Sequence, residues 1–197
     1  DQMDGAGAPF TMLMTAFVSE DNMKKFKDSD AVTCVTALLK AHPEQAEFAK
    51  NGLAFLEAMA GVPEYDMTDI VDIGGFRSVL SVMEANADNA SMQTLATRCL
   101  LYMCTNEENV EMFMEEGGLE VLMKNLANVT DSVSNEQTLY FLSTLALIDE
   151  NVEKMNENNC LAALSVTLRN CPDSKEVRKA AEELLTTIAS PSVVTNL

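Results

Sequence analysis

Tryptophan is absent from this chain, histidine occurs once, and proline and glycine are sparse at 5 and 8 residues. The lone histidine, in Ala41-His42-Pro43, has no companion with which to build an imidazole metal site or a hydrolytic triad. No glycine-rich phosphate loop, HExxH or GxSxG occurs, and Asp28-Ser29-Asp30 lacks the glycine and terminal glutamate of a calcium loop. The expectation is a protein that is not an enzyme, with no catalytic residues, no metal and no cofactor. Sparse proline and glycine, with no serine-rich stretch, leave no linker at which to divide the chain. Apolar runs are short: the longest, residues 10–18 (FTMLMTAFV), falls well below the ~18 residues of a membrane span. It also lacks the basic flank of a signal peptide and reads as the last helix of a repeat whose beginning is missing.

Basic residues are scarce too. Thirteen Lys and Arg stand against 31 Asp and Glu, for a net charge of −18, which argues against nucleic acid as a partner because phosphates need cations. Residues 51–168 contain only Arg77, Arg98, Lys124 and Lys154 as bases, so the middle of the chain is acidic. Such a face either recruits a basic partner or keeps an apolar protein soluble. The five cysteines, Cys34, Cys99, Cys104, Cys160 and Cys171, are odd in number and form no CxxC. They are expected to be reduced, buried thiols of an intracellular, cytoplasmic protein. Two glycosylation triplets, at Asn89 and Asn128, mean little without a secretory context.

What the chain does have is a helix-spaced apolar triplet that returns four times: Val32, Val35, Leu39; Phe76, Val79, Met83; Leu119, Leu122, Leu126; and Leu161, Leu164, Leu168. The first members lie 44, 43 and 42 residues apart, a period that marks stacked helical repeats. Residues 106–149 show the unit most clearly. Asn106 caps a short helix with Glu107 and Glu108 in its first turn, burying Val110, Phe113 and Met114. Gly117-Gly118 ends it, and a second helix follows over 119–126. Residues 128–135 (NVTDSVSN) read as a polar connection, and a third helix is predicted over 136–148 with Phe141, Leu145 and Ile148 on one face. That face recurs as Gly52, Leu56, Met59; Ala96, Leu100, Met103; and Ala181, Leu185, Ile188, with Phe141 breaking a run of small first residues. The thirteen methionines, at helical spacing, read as core.

Ile73-Gly74-Gly75-Phe76, Glu116-Gly117-Gly118-Leu119, Ala96-x3-Leu100-x2-Met103 and Ala181-x3-Leu185-x2-Ile188-Ala189 resemble the armadillo repeat family. The resemblance covers nearly the whole chain and implies an all-α fold: a right-handed α-solenoid of about four armadillo-like repeats of three helices each, plus a partial N-terminal repeat. The expected layout is a partial repeat over 1–19, repeats over 20–61, 62–105, 106–149 and 150–190, and a tail over 191–197. Asp30-Ala31 and Asn159-Cys160 replace the glycine pair in two repeats, which could lean toward the two-helix HEAT arrangement.

The resemblance also implies where a partner would sit. Armadillo third helices line a concave groove, and some members read extended peptides there with a ladder of asparagines. The matching positions here are Ala58, Tyr102, Leu147 and Thr187, none of them Asn, and one turn earlier stand Ala54, Arg98, Ser143 and Glu183. Alanine and leucine cannot pair with a peptide backbone, which argues against a nuclear import adaptor. Candidate partner-binding residues are Arg98, Tyr102, Tyr140, Ser143, Leu147, Glu183 and Thr187, since Arg and aromatic side chains are enriched at binding hot spots. Tyr102 and Tyr140 could equally pack between repeats with hydroxyls at the rim. The leading expectation is a protein-binding scaffold or adaptor for a basic segment or an amphipathic helix. The alternative is a structural subunit fixed in a large cytoskeletal or ciliary complex.

Overall fold

The computed structural model describes residues 22, 25, 26, 29–62 and 65–189. The predicted helix over 10–18, the tail over 191–197, Lys24 and Lys27 lie outside the described residues. Among those described, every regular element is an α-helix: α1 Ala31–Ala41, α2 Ala46–Ala60, α3 Thr68–Asp72, α4 Gly75–Ala85, α5 Ala90–Met103, α6 Glu107–Glu115, α7 Gly118–Asn128, α8 Ser132–Leu145, α9 Asp149–Glu157, α10 Cys160–Asn170 and α11 Lys175–Ala189. The order is a recurring triplet of a short first helix, an eleven-residue second helix and a third helix of 14 or 15 residues. That is the armadillo arrangement of an α-solenoid.

The described residues divide into two compact units, 22–86 with 95–116, and 87–94 with 117–189; α5 begins in the second and continues in the first. In the first unit α1 packs on α2, α3 and α4. Phe76 of α4 meets Phe113 of α6 edge to face, with ring centroids 5.5 Å apart, and the Cys99 thiol of α5 donates to the Leu53 carbonyl of α2 at 3.3 Å. In the second unit α7 packs on α10 and α8 on α11, so second helices stack on second and third on third. Thr167 of α10 donates to the Leu126 carbonyl of α7 at 3.1 Å. Each Leu or Phe buried in this way contributes about 1.5–3 kcal/mol.

The turn between first and second helices is set by one left-handed residue. Gly74 (φ 85°) and Gly117 (φ 79°) precede α4 and α7, and Asn159 (φ 58°) takes that conformation before α10. Asparagine tolerates this region better than other side chains, so the fourth repeat keeps all three helices without the glycine pair. Asp30, before α1, is right-handed in φ at −71°.

Several sequence expectations need correction. The third helix of the 106–149 repeat runs over Ser132–Leu145 rather than 136–148. The Asp131 carboxylate accepts from the Ser134 N–H at 2.9 Å, which starts the helix early and leaves only residues 129–131 as the connection. Its register therefore moves by one turn. Asn109 donates to the Met103 carbonyl that ends α5 (2.8 Å), and Asn151 donates to the Leu145 carbonyl that ends α8 (3.1 Å), which identifies Leu145 as the counterpart of Met103. The inward face is then Thr138, Leu142 and Leu145, all buried, and Thr138 completes the series of small residues with Gly52, Ala96 and Ala181. Phe141 is buried one turn further on and breaks no pattern.

Burial departs from expectation at other points. In α6 the buried residues are Asn109 and Phe113, with Val110 and Met114 only half-buried. In α11 Leu184 is buried and Leu185 half-buried. Cys34 is exposed, because it lies on the side of α1 opposite Val32, Val35 and Leu39, together with Leu38. In α10 Leu164 is buried, but Leu161 is 52 % exposed.

Candidate functional site

The third helices carry the sequence-derived candidates. On α5, Arg98 and Tyr102 stand one turn apart on one face, since residues i and i+4 of a helix are neighbours. Arg98 is held from α2: its Nε lies 2.8 Å from Glu57 Oε1, an ion-pair distance without the alignment of a hydrogen bond, and its Nη2 donates to Glu57 Oε2 at 3.2 Å. The arginine side chain is 39 % exposed, so the pair contributes under about 1 kcal/mol and acts mainly to orient the guanidinium. Tyr102 is 41 % exposed beside it. Together they present a cation with fixed direction and an aromatic face.

In the second unit, Tyr140 on α8 is 58 % exposed, and the Thr144 hydroxyl donates to its carbonyl at 3.1 Å. The corrected register places Tyr140, rather than Ser143, at the position equivalent to Arg98, and Thr144, rather than Leu147, at that of Tyr102. Ser143 is half-buried. Leu147 lies past the end of α8 in the turn before α9, where it is 79 % exposed. On α11 both Glu183 and Thr187 are exposed; Thr187 donates to the Glu183 carbonyl at 3.2 Å, and Lys179 Nζ lies 3.7 Å from the Glu183 carboxylate. None of the equivalent positions, Ala58, Tyr102, Thr144 or Thr187, is an asparagine.

The asparagines are used inside instead, and sequence reasoning missed them. Asn109 Nδ2 donates to Met103 O and also to Thr68 Oγ1 at 3.2 Å; Asn135 donates to Val129 O at 2.9 Å and meets Cys171 Sγ at 3.3 Å; Asn125 donates to Thr138 Oγ1 at 3.1 Å. Each ties a helix end or a neighbouring helix to a buried amide. The available signal was the repeated Glu108-Asn109-Val110 and Glu150-Asn151-Val152, which places an asparagine at the third residue of α6 and of α9.

Reactive chemistry is restrained by burial. Desolvation raises the Cys104 thiol to about 12 and the Cys160 thiol to about 11. Cys99 is raised further, first by burial and then by the Glu57 carboxylate. Such thiols are poor nucleophiles. Among the described residues no group of three or more His, Cys, Asp or Glu is placed to hold a metal ion, and no helix is long and apolar enough to cross a membrane. An open hollow of about 500 Å³ in the second unit, walled by Asp131, Ser132, Cys171, Asp173 and Glu176 among others, contains none of the candidate residues.

The stacked triplets, the left-handed turns and the small-residue face agree with what a comparison with protein families returns: a family model described as GAC ARM domain matches residues 10–148. The chain belongs to the GAC ARM domain family. No curated protein and no solved structure matches it. As an armadillo domain it falls in a class that in general serves as a non-enzymatic scaffold for protein interaction. Beyond the matched residues, the armadillo order continues through α9, α10 and α11.

Proposed function

We propose that this GAC ARM domain is a cytoplasmic adaptor that binds a partner protein reversibly through its third helices. The observation that carries this reading is the exposure of two tyrosines, Tyr102 at 41 % and Tyr140 at 58 %, on helices whose opposite faces are buried core. Arg98 adds an oriented cation beside Tyr102 in the first unit; Leu147, Glu183 and Thr187 add apolar and polar contacts in the second, with Ser143 at the margin. Aromatic and arginine anchors of this kind suit the polar-rimmed apolar face of an amphipathic helix. The exposed acids of α6 (Glu107, Glu108, Glu111, Glu115) and α9 (Asp149, Glu150, Glu153, Glu157) favour a partner with basic flanks. Five free cysteines, three of them buried, suit a reducing compartment.

Cross-linking with mass spectrometry on the gently purified native protein, followed by pull-down with Arg98→Glu and Tyr102→Ala combined, tests the proposal. The expected result is one partner cross-linked along the third helices and released by the double substitution while the helical signal survives. A second reading, a subunit fixed in a cytoskeletal or ciliary assembly, draws on the spread of exposed apolar residues: Leu38, Val133 and Leu161 on three different helices and Ile73 in the turn between α3 and α4. Cross-links scattered over several fixed neighbours, unaffected by the substitution, would favour it.

A further inference from the structure

We draw no further inference here: the strongest candidate, the open hollow of the second unit at the starts of α8 and α11, is a group of acids (Asp131, Asp173, Glu176) at two helix N-termini, and no buried polar side chain without a partner lines it, among the described residues, to point to a ligand.

Discussion

A Cβ added at Gly75 would lie 2.6 Å from the backbone oxygen of Ile70 and 2.5 Å from its Cγ2, with Met103 Sδ at 3.0 Å, so backbone must move to admit it. At Gly74, one residue earlier, a Cβ would meet nothing within 4 Å, and only the positive φ opposes it. The two glycines answer different demands, and urea unfolding should separate them. Gly75→Ala is expected to lose about 2–3 kcal/mol through overpacking, Gly74→Ala about 1–2 kcal/mol through the left-handed conformation, and Gly74→Asn less than either, as Asn159 already shows in the same role. The cysteines give a second residue-scale outcome. In native buffer a disulfide-exchange reagent should label Cys34 rapidly, while Cys99 and Cys160 should react only at the rate of unfolding, because their thiols are buried and raised in pKa. Labelling counted by mass spectrometry checks this, and fast reaction at Cys99 would refute the packing of α5 on α2.

Helix α8 shows how a polar sequence becomes an inner face. Ser134, Asn135 and Thr138 are fully buried: Asn135 holds the Val129 carbonyl, Thr138 accepts from Asn125 and donates to the Ser134 carbonyl at 2.9 Å, and Ser134 has its N–H capped by Asp131 while its hydroxyl makes no hydrogen bond among the described residues. An apolar-periodicity reading passes over such a stretch, which is why the helix was expected to begin four residues late. Asp131→Ala should cost about 1 kcal/mol through the lost cap. Asn151→Ala should cost about 1 kcal/mol by removing one of the two donors to the Leu145 carbonyl, which keeps only the Ile148 N–H at 3.3 Å. Thermal unfolding followed by circular dichroism measures both, and equal, negligible losses would mean that the helix ends are satisfied by water. The small-residue face is likewise an element-scale device: a Cβ at Gly52 would sit 2.6 Å from Leu39 Cδ2, so α2 approaches α1 closely there. Enlarging the equivalent residue, as in Ala181→Leu, should cost about 1–3 kcal/mol.

For the molecule as a whole, the net charge of −18 is the dominant long-range quantity. Self-repulsion among the carboxylates destabilises the compact state, and salt screens it over a Debye length of about 10 Å at 0.1 M. The melting temperature is therefore expected to rise by a few degrees between low and moderate NaCl; a fall would mean that ion pairs such as Arg77–Glu116 (2.7 Å) outweigh the repulsion. Much at this scale was legible in the amino-acid order. A period near 43, the helix-spaced triplets, the Asn106 cap and the glycine turns are local patterns, and local backbone preference and helical spacing need no partner to be read. They determined the all-α armadillo class. Tertiary structure alone decided what lies opposite each side chain. It shifted α8 by a turn because a capped start and buried amides outweighed apolar spacing, exposed Cys34 because it lies opposite the buried Val32, Val35 and Leu39, and left Leu161 open where Phe76 and Leu119 are covered. Burial depends on residues some forty positions away in the chain, as Thr167 reaching Leu126 illustrates, and spacing within one helix carries no record of them.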